Sequence, residues 1–181
     1  MSRPPDALCC LPSQTVGPFF HFALTANAAL GGMAGPQAEG ERILLRFTLL
    51  DGDGLPVPDG MIELWQANAD GRHDAADPGF CGFGRLATDA EGRCTFHTVR
   101  PGRVGGQAAH ISVSVFARGL LGRLCSRVYF EGDPALADDS VLALVPAERW
   151  PTLMARFGAT AGMWDFVVRL QGDRETVFFD V

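Results

Sequence analysis

The chain has 181 residues, 47% of them apolar and 20% charged, with a formal net charge of -6. That length suits one domain with a core that needs no disulfide or metal staple, and that composition excludes disorder. Gly 22 and Pro 12 show no period, which excludes collagen-like chains, and all fifteen cations are arginines without a basic run, which disfavours nucleic acid and anionic membranes as partners.

Apolar stretches fall well short of a bilayer span, so no membrane partner is expected. Met1–Pro12 has no long apolar run, and Arg3 is followed at once by Pro4, Pro5 and Asp6, unlike a secretory leader. The five cysteines, Cys9, Cys10, Cys81, Cys94 and Cys125, form no regular framework. They read as reduced thiols, and a cytoplasmic protein is expected. The adjacent Cys9–Cys10 pair has no C-x-x-C counterpart to complete a metal clip.

In chain order, Ser13–Phe20 reads as an N-terminal arm. Its Gly17-Pro18 pair lets the backbone approach a ligand and then stiffens it. Asn27–Glu39, with Gly31, Gly32, Gly35 and Pro36, reads as a surface excursion. Strands are predicted at Ile43–Leu50, Met61–Gln66, Cys94–Val99, His110–Ala117, Arg127–Phe130, Trp164–Leu170 and Thr176–Val181. A loop fills Ala67 to about Gly84, and short helices are predicted over Pro134–Leu144 and Trp150–Phe157. The frequent turns predict a mainly β chain: an antiparallel β-sandwich of two sheets with long loops, an N-terminal arm and one or two short helices.

Most constellations have ordinary explanations. Asp51-Gly52-Asp53-Gly54 mimics the start of a calcium loop, but Leu55 and Ile62 occupy positions that need oxygen ligands, so a hairpin turn is expected. None of His21, His73, His97 and His110 lies two or four residues from another histidine, so no compact metal pair exists. There is no G-x-S-x-G, and without lysine no Walker loop. Arg118 ends a neutral strand, where its guanidinium suits either a bidentate carboxylate clamp or an ordinary surface ion pair.

Seven stretches together resemble the intradiol ring-cleavage dioxygenases: Pro12–Phe20, Ile62–Gly71, Phe83–Thr88, Thr95–Gly102, Ala109–Gly119, Arg127–Gly132 and Gln171–Val181. They cover nearly the whole chain in order. The resemblance implies ring opening of a catechol by dioxygen at a ferric iron held by two tyrosinates and two histidines. Here three of those four positions are lost and one, His110, stays. His73 stands where the first tyrosine would be, Pro101-Gly102-Arg103-Val104 lacks the second, and the H-x-H pair has become His110 and Ser112. The only tyrosine, Tyr129, is not at a ligand position.

The resemblance therefore implies a chain without metal or catalytic residues of its own. It would work with a homologous iron-bearing chain, in units that assemble into a higher oligomer. One domain over 1–181 is expected, with 1–24 as an arm that contributes to the partner's pocket. Thr15, Gly17, Pro18 and Arg118 are the implied substrate-binding residues. The implied substrates are dioxygen and a carboxylated catechol, 3,4-dihydroxybenzoate, whose carboxylate would meet Arg118. Phe19 departs from the tyrosine expected after Gly-Pro, and the loops 76–83 and 105–108 look shortened. A non-catalytic binding or assembly module and a His73/His110 metalloenzyme are the alternatives.

Overall fold

The structure is a computed structural model, and it describes residues 10–73 and 77–181. The Met1–Cys9 part of the arm, with one half of the Cys9–Cys10 pair, lies outside the described residues, as do positions 74–76, the last of which begins the shortened loop 76–83. Eight strands follow a short helix: α1 (Pro18–Leu24), β1 (Arg42–Leu50), β2 (Met61–Gln66), β3 (Phe83–Ala87), β4 (Arg93–Val99), β5 (His110–Phe116), β6 (Leu124–Phe130), β7 (Met154–Phe157) and β8 (Met163–Arg169). Single 3-10 turns at Pro134–Asp138, Leu142–Leu144 and Ala147–Leu153 bridge β6 to β7.

The strands form one sheet in the order β3-β2-β5-β6-β7-β8-β1-β4, and its two end strands contact one another. The result is a nearly closed, barrel-like sheet. This corrects the expected sandwich of two antiparallel sheets. The physical reason is β7, which falls inside the segment Trp150–Phe157 read as helical. Tyr129 and Phe130 pair in parallel with Met154 and Ala155, and Arg156 and Phe157 pair antiparallel with Asp165 and Trp164. Four residues thus stitch the two halves together. A second parallel pairing, β1 with β8, makes the sheet mixed rather than antiparallel.

The core follows from period-two alternation. Ile43, Leu45, Phe47 and Leu49 point inward from β1, and Ile111, Val113 and Val115 from β5. They meet Phe96, Trp164 and Phe166, with edge-to-face contacts between Phe47 and both Phe96 and Phe166. A second cluster of Ala108, Tyr129, Leu142, Val145 and Leu153 lies under the 3-10 turns.

Other expectations need revision. The segment Asn27–Glu39 is no mere excursion, because Met33 is buried and the amides of Met33 and Ala34 both donate to the carbonyl of His97. Thr176–Val181 forms no strand and meets the sheet through scattered bonds: the Thr176 amide donates to the Arg169 carbonyl, Ser126 Oγ donates to the Val177 carbonyl, and the Phe179 amide donates to the Cys125 carbonyl at 2.7 Å. Pro134–Leu144 forms two 3-10 turns rather than a helix. The Asp51 carboxylate accepts from the amides of Asp53 and Leu55, the turn expected there. The described cysteines, Cys10, Cys81, Cys94 and Cys125, are free thiols.

Candidate functional site

The first region lies where the arm crosses the end of β5. Gly17 precedes α1, and Pro18 fills its first turn, where a missing N–H costs nothing. The ring of Phe20 packs on Phe116 with centroids 5.5 Å apart. The Gly119 amide donates to Thr15 Oγ1 at 2.7 Å, which ties the arm to the residues after β5. Gly119 takes φ +94°, a conformation open to glycine, and so permits the turn that leaves Arg118 beside the arm.

A cavity of about 220 Å³ results, lined by Gly17, Pro18, Phe20, His21, Asp59 and Arg118 among others. The fold thus brings Gly17, Pro18 and Arg118 together. Thr15 sits one step away, in an adjoining groove with Phe116, Leu120 and Leu121. Phe19 turns outward and is 86% exposed. Arg118 Nη2 lies 3.2 Å from Asp59 Oδ2, an exposed pair of the kind that contributes little and exchanges readily. Asp59 and His21 have no local sequence signal. Only the folded topology carries the β1–β2 connection to the arm.

The second region is the outer face of β2, β5 and β6, where the resemblance places the lost metal site. The register sets Phe83, Trp65, Ser112 and Arg127 in one row across β3, β2, β5 and β6. His110 pairs with Tyr129 in the next row. His73 stacks parallel on Trp65 with centroids 6.2 Å apart. Gly71 allows that loop to close: it takes φ +79°, and a Cβ there would collide with the Arg103 carbonyl.

The donors here do not suit a ferric ion. His110 Nδ1 lies 2.9 Å from the Ala108 carbonyl, which only accepts, so Nδ1 carries the proton. Burial first, then the Arg127 charge, lowers the His110 pKa and keeps the ring neutral. Tyr129 is fully buried and donates its hydroxyl to Asp139 Oδ1 at 3.2 Å. Burial pushes its pKa up to about 12, so it is a phenol and not a phenolate.

Asp139 is consumed as well. It accepts from the amides of Ala108, Val141 and Leu142. Burial alone would raise its pKa, but these donors and Tyr129 outweigh burial and hold it below the ordinary value. Arg127 donates to Gln107 Oε1 at 2.8 Å, which fixes a cation in the row where a metal would need anionic donors. Among the described residues no three His, Cys, Asp or Glu side chains converge as a metal site. A neutral imidazole, a phenol, a saturated carboxylate and a guanidinium do not make a cradle for the ferric ion that the resemblance implies.

Fold and site together define an intradiol ring-cleaving dioxygenase that has kept its frame and lost its own donor set. A family model described as dioxygenase matches residues 16–169, and the chain belongs to that family. Among curated relatives, the protocatechuate 3,4-dioxygenase alpha chain of Burkholderia cepacia is 44% identical, covering 94% of this chain and 96% of its own. The protocatechuate 3,4-dioxygenase beta chain of the same organism is 39% identical over 80% of this chain and 66% of its own. Among solved structures, a dioxygenase domain from Streptomyces sp. SirexAA-E superposes with TM-score 0.63 at 24% identity, over 77% of this chain and 86% of its own, a likeness of fold. The chain is thus an intradiol dioxygenase subunit of the alpha-chain type. Among the described residues no helix is long and apolar enough to cross a membrane.

Proposed function

We propose that this chain is the iron-free subunit of a cytoplasmic protocatechuate 3,4-dioxygenase, built with a homologous beta-type chain as αβ units of a higher oligomer. The complex would cleave 3,4-dihydroxybenzoate with dioxygen between its two hydroxylated carbons, giving 3-carboxy-cis,cis-muconate. The partner's ferric iron supplies the oxygen chemistry. This chain supplies walls and charge.

The observation that carries the reading is the meeting of Gly17, Pro18 and Arg118 in one cavity, beside Phe19 and Phe22, which are 86% and 71% exposed. Exposed aromatics around a small concave site are what a protein interface covers. In the complex Arg118 exchanges Asp59 for the substrate carboxylate, with two parallel hydrogen bonds in place of one exposed contact. Gly17 lets the backbone come close to the ring, Pro18 stiffens the wall, and Thr15 positions Gly119 and therefore Arg118. In a chain of net charge -6, a local guanidinium is needed to receive an anionic substrate.

The test is reconstitution. Alone, the chain should show neither iron–tyrosinate colour nor ring cleavage; mixed with its beta-type partner it should show both. Turnover by the isolated chain rejects the assignment.

A further inference from the structure

A groove on the outer face of β7 and β8 shares no residue with the Arg118 cavity. It encloses about 400 Å³ between that face, the 3-10 turn Ala147–Leu153 and the loop after β8. Four arginines line it: Arg149, Arg156, Arg169 and Arg174. Arg156 has Glu131 at 3.7 Å, whereas Arg149, Arg169 and Arg174 form no ion pair among the described residues. In a chain with 21 acidic residues against fifteen basic ones, three unpaired arginines in one groove require a reason.

The carboxylates of the groove do not supply their counterion. Asp165, on the floor, is held by Arg46 of β1 through two bonds of 2.7 and 2.9 Å. Glu148 and Asp173, the other acids of the lining, are exposed and bond none of the four arginines. Placed on the rim, they disfavour an extended polyanion and leave room for one compact group.

The Arg149 side chain and the Arg169 backbone are held in place. Arg149 Nη2 donates to the Glu175 carbonyl at 2.8 Å, while its Nε is shut off from water with no acceptor. The backbone of Arg169 is bonded on both sides to Thr176, whose own exposure is 1%. Val177 then donates to Thr152 Oγ1, and the Thr152 hydroxyl donates to the Arg149 carbonyl. One segment, 175–177, therefore holds the Arg149 guanidinium and the Arg169 backbone at the groove.

We propose that this groove is a binding site for a compact oxyanion, a carboxylate or a phosphate group, clamped by Arg149 and Arg169 with Arg174 closing from the rim. Guanidinium forks match the planar or tetrahedral oxygens of such groups. The site is separate from the proposed substrate pocket and does not depend on the identity of the ring substrate.

The test is calorimetric titration of the full chain, in complex with whatever partner copurifies, at constant ionic strength set with chloride. Inorganic phosphate and acetate are the two probes. Saturable binding of phosphate alone assigns a phosphoryl ligand; saturable binding of acetate assigns a carboxylate ligand. Arg169→Gln, whose side chain makes no internal bond among the described residues, should weaken binding about tenfold or more. Arg149→Gln should do the same. Arg93→Gln, an exposed charge outside the groove, should leave it unchanged. No saturable binding of either probe, or equal binding by wild type and Arg169→Gln, overturns the proposal. So does equal weakening by Arg93→Gln.

Discussion

Arg127 on β6 stands across from Ser112 on β5, in a ladder where His110 faces Tyr129 two residues along on the same face. The serine removes an imidazole donor, and the arginine places a fixed positive charge on the same face. The second change matters more, because a missing ligand can be replaced by water whereas a guanidinium pinned to Gln107 repels a cation outright. Restoring the H-x-H spacing by Ser112→His should therefore not restore metal binding. Metal analysis after exposure to zinc or ferric iron and desalting should find no stoichiometric ion. A full equivalent of metal in that single variant would contradict the charge argument.

The exposed Arg118–Asp59 pair leads to an expectation for substrate selectivity. In the reconstituted complex, Arg118→Ala should raise KM for the carboxylated catechol by about tenfold or more, since a charge-assisted bidentate contact is lost. Turnover of a catechol without the carboxylate should be little affected. Arg118→Lys should recover part of the loss, because it keeps the charge but not the fork. Equal effects on both substrates would show that Arg118 supports the fold rather than reads the carboxylate.

Most strands are legible in the sequence because they obey a simple alternation. β2 matches its predicted span, and β1 differs only by the added Arg42. β3 begins where the sequence reads as loop, since Gly84 breaks its apolar pattern. Its strand state depends on partners: Glu63 and Arg85 pair across the ladder, and a Cβ at Gly84 would lie 2.7 Å from Met33 Sδ. β7 escapes a reading by pattern because four residues of strand, following Pro151, carry no periodicity distinguishable from a turn of helix. At the site, Gly17-Pro18 and Arg118 stand out by residue type alone, but the family resemblance is what joins them with Thr15 in a substrate-binding role. Asp59 joins Arg118 across 59 positions of chain, and no local pattern encodes such a meeting.

Asp139 holds the region beneath the second cluster together. Its two oxygens accept from Ala108, Val141, Leu142 and Tyr129, so one carboxylate joins the start of β5, the end of β6 and the 3-10 turns. Asp139→Ala would leave two buried amides, the part-buried Val141 amide and a buried hydroxyl without their acceptor. The expected loss is about 3 kcal/mol or more of unfolding free energy. Tyr129→Phe removes one donor and leaves the carboxylate with its amides, so about 1 kcal/mol is expected. Urea denaturation of the three proteins checks the order. A larger loss for Tyr129→Phe than for Asp139→Ala would refute the assignment of Asp139 as the hub.

His110 should make stability pH-dependent in a definite direction. Burial is the main cause of its lowered pKa, helped by Arg127 and His73 and opposed by the Ala108 carbonyl and Asp139. Tyr129, the remaining titratable neighbour, stays protonated throughout the range considered. Because the folded ring resists protonation, the unfolded chain binds the proton more readily once the pH drops below the ordinary value of 6.5. The stabilising contribution is complete above that value and is lost as the pH falls toward the folded pKa. Asp139, also lowered, adds a second loss beginning near its ordinary value of 3.8. The urea midpoint should thus fall between about pH 7.5 and about pH 5, before carboxylates titrate substantially. His110→Asn can keep a donor toward Ala108 but has no proton to take up, and its midpoint should fall less over the same interval. Parallel declines in the two proteins would locate the acid sensitivity elsewhere.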